Sequence, residues 1–255
     1  MSDLTLFRKV NNLRKKTTRK NQKKALDLTA NLVPEDHVIF NFKNRLKPKT
    51  HNQAEYIRTV VENTITFCHG VAGSGKTHIA IGMALEALLN QKIERIVITR
   101  PVLEAGEKLG YLPGTAEEKL HPYLLPILDE INYFITSPLY NKLKLLNRIE
   151  IVPLGLMRGR SFHKCFIVAD ECQNASYDQL KMLLTRIGMD SKMVLTGDVA
   201  QSDLQRSYRG GFATMAKLLS EVNGIGSSRL EYVDIVRNPI IAHIMSKLDG
   251  HEQNS

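Results

Sequence analysis

The sequence predicts an α/β protein with a mainly parallel sheet and helices on both faces, and three observations carry that expectation. From Ala54 onward, short β-branched apolar runs alternate with helix-like segments. A glycine-rich loop sits where the first run gives way to the first of those helices, and a later run ends on two adjacent carboxylates. Strand and helix in strict alternation imply parallel strands joined by crossovers. A doubly wound sheet of this kind takes its ligand at the carboxyl ends of its strands.

Along the chain, residues 1–30 hold nine Lys and Arg against Asp3 and Asp27, a surplus of +7 out of a formal net charge of +9. Residues 1–49 are expected to be a basic leader. Lys47-Pro48-Lys49-Thr50 marks its joint with the domain, because the residue before a proline is held toward extended geometry. The domain is expected over 50–248, with a tail at 249–255. Its strands are expected at Ile65 to Cys68, Arg95 to Thr99, Ile149 to Val152, Phe166 to Ala169 and Met193 to Thr196. Helices fall near 77–90, 116–135, 176–187 and 211–222. No internal repeat is visible.

Composition excludes several classes. At 255 residues, 43% hydrophobic and 24% charged, the chain is neither disordered throughout nor collagen-like. No long uncharged apolar stretch is present, so stable membrane insertion is not expected. The basic N-terminus has no apolar signal core, and Cys68, Cys165 and Cys172 make no CxxC pair. A cytoplasmic protein with reduced, packed thiols is the expectation. Trp is absent and aromatics are 6%, so a nucleic-acid surface here cannot lean heavily on aromatic stacking.

The chemistry begins at Gly70-Val71-Ala72-Gly73-Ser74-Gly75-Lys76-Thr77, which fits GxxxxGK[ST] between a strand and a helix. Its glycines let the backbone wrap a phosphate chain with N–H groups inward, and the next helix adds its positive end. Lys76 is placed for the β- and γ-phosphates of ATP and Thr77 for Mg²⁺. Asp170 and Glu171 close the Phe166 to Ala169 run. Asp170 suits the metal, and Glu171 suits a water attacking the γ-phosphate, which favours hydrolysis over phosphoryl transfer to a metabolite. Thr196-Gly197-Asp198 with Gln201 ends the next strand; either Gln201 senses the γ-phosphate or the segment is a polar turn.

The loop Gly70 to Thr77, Asp170-Glu171-Cys172-Gln173-Asn174 and Thr196-Gly197-Asp198 with Gln201 resemble the motifs of the PhoH family of ATPases, related to superfamily-one helicases. Similar too are Thr99-Arg100-Pro101, the segment Gly106 to Gly114, Met157-Arg158-Gly159-Arg160 and Ile235-Val236-Arg237-Asn238-Pro239. The family usually has Ala where this chain has Cys172. The resemblance spans about Thr50 to Leu248 and implies a RecA-like P-loop core with ATP and Mg²⁺ as cofactors, linked in some members to RNA or single-stranded DNA. Gln53 stands where related helicases read the adenine edge, or is a surface helix residue. Arg237 and Arg100 suit the γ-phosphate or a nucleic-acid phosphate. Arg158 and Arg160, flanking Gly159, suit a strand's backbone. His78 counts with the nucleotide-binding residues, and neither it nor His69 has a partner at metal-ligand spacing.

Two functions from different classes follow. One is an ATP-hydrolysing remodeller of RNA or single-stranded DNA, a homo-oligomeric, hexameric ring in which Arg237 or another arginine reaches the adjacent site. The other is a nucleotide-dependent switch read by a protein partner without strand unwinding. A phosphotransferase is the weaker third. The basic leader reads as a solvated tail, a nucleic-acid contact, or a weak anionic-membrane contact through Leu6, Phe7, Val10 and Leu13.

Overall fold

The computed structural model describes residues 42–101, 116–199, 201 and 210–236, with backbone alone over 116–123. The expected leader up to residue 41, the Gly106 to Gly114 segment, Arg237 and the tail at 249–255 lie outside the described residues.

Six parallel strands form one sheet in the order β3-β2-β4-β5-β1-β6. They are β1 (Ile65–Gly70), β2 (Arg95–Arg100), β3 (Ile149–Pro153), β4 (Cys165–Ala169), β5 (Lys192–Gly197) and β6 (Ile225–Leu230). The expected fold class holds. Burial on both faces shows in the side-chain alternation. Ile96, Ile98, Phe166, Val168 and Val194 enter one apolar cluster, while Val97, Ile167, Ala169, Met193 and Leu195 enter the other.

The first cluster is covered by α1 (His51–Glu62), α2 (Lys76–Leu89), α3 (Ala116–Phe134) and α4 (Ser137–Leu145). The second is covered by α5 (Tyr177–Leu184) and α6 (Gly211–Leu218). Helix α2 is apolar nearly all round, with Ile79, Ala80, Ile81, Gly82, Ala84, Leu85 and Leu88 buried, because it is enclosed on several sides. Gly82 permits this: a Cβ there would meet Phe134 at 2.7 Å and Leu46 at 3.1 Å. Phe42 and Leu46 pack on the same cluster, so the segment before Thr50 lies against the domain. Helix α5 begins with a capping box, in which Ser176 accepts from the Gln179 amide and the Gln179 side chain accepts from that of Ser176.

Three elements were not expected from sequence. Strand β6 reads Ile-Gly-Ser-Ser-Arg-Leu and is an edge strand only partly covered, so it lacks the apolar run that marks a buried strand. Helix α1 buries Gln53, Tyr56 and Val60, and its core-facing stripe starts on an amide. Thr50 caps it, accepting from the Gln53 amide at 3.2 Å. Helix α4 is short and mostly polar or half-exposed, with only Leu143 buried.

The strand order sets up the site. β5 lies between β1 and β4, so the loop leaving β1 and the acids leaving β4 face each other across the end of β5. Among the described residues, no helix is long and apolar enough to cross a membrane. Phe67 of β1 is fully buried, with its ring centroid 5.7 Å from that of Phe212 on α6. Phe67→Ala should lower unfolding stability by roughly 3–5 kcal/mol, measurable by urea denaturation; a loss under about 1 kcal/mol would mean the second cluster does not depend on this contact.

Candidate nucleotide site

The phosphate loop is built where β1 turns into α2. Gly73 and Gly75 have φ of +78° and +94°, the left-handed region that a side chain resists, so the loop can coil tightly before the helix. Gly70 is needed for packing, since a Cβ would stand 2.4 Å from the Leu230 carbonyl of β6. Lys76 turns back over the loop, with Nζ donating to the carbonyls of Gly70 at 2.6 Å and Val71 at 2.9 Å. Ser74 braces the turn through a 2.8 Å bond from Oγ to the Val71 carbonyl.

Across β5 stands Asp170, buried, with its amide bonded to the Thr99 carbonyl at 2.9 Å. Its Oδ1 accepts from the hydroxyls of Thr77 and Thr196, both at 2.7 Å. Among the described residues no Lys or Arg forms an ion pair with this carboxylate. A buried carboxylate whose bonds come from neutral hydroxyls suits a hard divalent cation, and carboxylate with threonine hydroxyl is the oxygen donor set Mg²⁺ accepts. The residues therefore fit the metal.

Glu171 follows in the left-handed region at φ +54°, a strained placement for a side-chain residue. The kink starts the short turn Cys172–Asn174. Glu171 Oε1 accepts from Arg100 at 3.1 Å and Oε2 from Gln173 at 2.5 Å. Gln173 Oε1 in turn accepts from the Asp198 amide at 3.0 Å, linking the acid to the end of β5. Gln173 stands within the Asp170 to Asn174 motif, yet its position there predicts no role. Its partner is 25 residues away, so no local spacing could reveal the bond.

A cavity of about 460 Å³ opens over these groups. Gly73, Gly75, Lys76, Thr77, Asp170 and Glu171 line it, and so do Gln53, His78, Arg100 and Ala72. The fold thus brings most of the expected site residues together. Lys47, Lys49, Glu130, Tyr133 and Val236 also line it, and the sequence had assigned none of them. His78 bonds Glu130 through Nδ1 at 2.7 Å and lies edge-on to Tyr133, so it joins α3 to the start of α2.

Gln53 is buried at the cavity edge with both ends of its amide engaged. Its Oε1 accepts from the Lys49 amide at 2.8 Å, and its Nε2 donates to the carbonyls of Ser74 at 3.0 Å and Asp234 at 3.3 Å. Asp234, fully buried, accepts from Thr50, from Asn52 at 3.0 Å and from the Glu231 amide at 2.7 Å. The segment leading to Arg237 is thereby tied to α1 and the loop. The acid at 234 carried no sequence signal.

Other expected residues lie elsewhere. Gln201 is exposed beyond a turn in which its amide donates to the Asp198 carbonyl at 3.1 Å. Arg158 is exposed after the turn Leu154–Met157. Arg160 makes two parallel bonds to Glu150, at 2.6 and 2.8 Å, and lies 4.7 Å over the Phe162 ring. Glu150 sits near the start of β3 and also pairs with Arg95 at the start of β2, so this cluster is at the far end of the sheet from the loop.

Cys68 and Cys172 lie beneath the site, both buried. Burial pushes the Cys68 thiol up to about 12, partly countered by Lys76. Burial, then Asp170 and Glu171, raise Cys172 well above its usual value. Since the thiolate is the reacting form, neither should be labelled by an aromatic disulfide reagent at pH 8 until urea unfolds the chain; rapid native labelling of either, read by peptide mass, would contradict the packing.

The family model described as PhoH-like protein matches residues 45–249. A PhoH-like protein of Synechocystis is 40% identical over 210 residues, covering 82% of this chain and 64% of the relative. One from Bacillus subtilis is 40% identical over 216 residues, covering 84% and 68%. The chain thus spans just under two thirds of the length of the Synechocystis relative. Among solved structures, the large terminase of a thermophilic bacteriophage aligns with TM-score 0.49 at 11% identity, covering 79% of this chain and 50% of that one.

Proposed function

The chain belongs to the PhoH-like family, and from that premise we propose that it binds ATP with Mg²⁺, hydrolyses it, and couples hydrolysis to binding or remodelling RNA or single-stranded DNA. The observation that carries the reading is the approach of Thr77 and Asp170, 2.7 Å apart, beside Lys76 and Glu171 on one cavity.

The parts act as follows. The coiled loop offers inward N–H groups to the phosphate chain, and α2 adds its positive end. Lys76 exchanges the Gly70 and Val71 carbonyls for phosphate oxygens, which answer its charge better than neutral carbonyls do. Thr77 and Asp170 would hold Mg²⁺, which supplies charge neutralisation on the phosphates. Glu171 orients the attacking water and takes its proton. Gln173 passes the position of β5 to Glu171 and back, so a change at one is felt at the other. Gln53 reads the nucleobase by exchanging a backbone partner for the adenine edge.

The nucleic-acid part of the reading is supported by the basic rim that Lys47, Lys49 and Arg100 give the cavity. The reading extends to a head-to-tail ring in which Arg237 serves the neighbouring copy. Light scattering should show ATP- and Mg²⁺-dependent assembly; a strict monomer with full turnover would dismiss the ring.

Glu171→Gln keeps shape and hydrogen bonding but removes the base. It should lower phosphate release by about 10²–10⁴-fold while ATP affinity stays within a few fold. Lys76→Ala should lose ATP binding itself. Turnover in Glu171→Gln at the wild-type rate would remove Glu171 from the chemistry.

A further inference from the structure

The cavity carries one acid that the phosphate chemistry does not use. Among the described residues, three carboxylates line it, Asp170, Glu171 and Glu130. The first two are assigned to the metal and to the attacking water. Glu130 stands apart on α3, one turn before Tyr133 and Phe134, with its side chain 27% exposed.

Glu130 is held by one of its two oxygens. Its Oε2 lies 2.7 Å from His78 Nδ1, and the His78 ring is fixed against Tyr133 and Phe134, with centroids 4.9 and 4.6 Å away. The carboxylate is therefore preorganised by its neighbours. Among the described residues nothing bonds Oε1, so a placed acceptor is left on a residue that lines the cavity.

The chain around it shows which part of a nucleotide lies there. His78 follows Thr77 directly, in the first turn of α2, so it comes after the residues assigned to the β- and γ-phosphates and to Mg²⁺. The Lys43 amide bonds the Phe134 carbonyl at 2.8 Å, and the Lys49 amide bonds Gln53 at 2.8 Å. Residues 43–49 thus cross from the end of α3 to the start of α1, and Lys47 and Lys49 join Glu130, Tyr133 and Gln53 on the cavity. This wall begins where the phosphate loop ends, which is where the sugar and base of a bound nucleotide continue.

A carboxylate in that position repels a polyphosphate unless the ligand offers it a donor. ATP has donors in two places, the ribose hydroxyls and the base amino group. The base falls to Gln53 in the reading above. A ribose hydroxyl donating to a carboxylate is a pairing that dinucleotide sites also use.

We propose that Glu130 accepts a hydrogen bond from the ribose cis-diol and makes the site selective for ribonucleotides over deoxyribonucleotides. The inference rests on the ATP-binding reading above and adds the sugar to it.

Isothermal titration of the full chain with Mg²⁺ and ADP, 2′-deoxyADP or 3′-deoxyADP tests it, because diphosphates keep hydrolysis out of the readout. In the wild type at least one deoxy form should bind about 10- to 100-fold more weakly than ADP, the range for losing a hydrogen bond to a charged group. Glu130→Ala should weaken ADP to the level of that deoxy form and leave the deoxy form itself within about twofold, so the discrimination disappears. Glu130→Gln keeps the shape and an amide oxygen but loses the charge, and should narrow the ratio by about three- to tenfold. In steady-state ATPase the same preference should appear in KM for ATP against the deoxy triphosphate.

Equal affinity of the wild type for all three diphosphates overturns the sugar contact and leaves ATP binding intact. A wild-type ratio retained in Glu130→Ala overturns it as well. If thermal melting shows that Glu130→Ala does not fold, Glu130→Gln decides, and an unchanged ratio there removes the charged acceptor from the site. A wild type that binds none of the three takes down the nucleotide reading and this inference with it.

Discussion

One buried carboxylate oxygen holds the site together. Asp170 Oδ1 accepts from Thr77 at the start of α2 and from Thr196 on β5, while the Asp170 amide bonds the Thr99 carbonyl of β2. Four elements therefore meet at one residue at the end of β4. A buried charge with too few partners costs several kcal/mol. The two hydroxyls reduce that cost and leave the carboxylate with a strong preference for a cation. The same bonds that fix the phosphate loop against the sheet thus leave a buried carboxylate with oxygen neighbours that suit a hard cation.

Around this point the sheet supplies rigidity and the turns supply adjustable contacts. The strands place Asp170, Thr196 and Arg100 on a frame buried on both faces, where positions are set by close packing. Lys76 opens α2 while Glu171 and Gln173 sit on the turn after β4, and each is held by hydrogen bonds to neighbouring groups. The Gln173 link to the Asp198 amide makes the acid and the end of β5 one unit.

A second network fixes the other wall. Asp234 accepts from Thr50, Asn52 and the Glu231 amide, and its carbonyl shares Gln53 Nε2 with that of Ser74. This couples the cap of α1, the phosphate loop and the segment that runs on toward residue 237. A fully buried acid with its bonds satisfied fixes conformation, because any shift would strand a charge. Tyr56, the largest buried side chain of α1, continues the contact with a 3.4 Å bond to the Lys76 carbonyl.

How much of this was legible in the sequence depended on contact range. The phosphate loop is contiguous from Gly70 to Thr77, and its glycines, lysine and hydroxyl encode their geometry locally, so sequence alone located it. Asp170 and Glu171 were legible because an apolar strand must end where they begin. Buried strands announced themselves by β-branched runs; the edge strand β6 did not, since its half-exposed Ser and Arg form no such run. Arg160 and Arg100 looked alike as sequence, yet one is spent on Glu150 and Phe162 and the other meets Glu171. Only the tertiary structure decided between them, as it decided the roles of Gln173 and Asp234. Their partners are brought near by strand order, and a bond closed across the sheet leaves no periodicity in the chain.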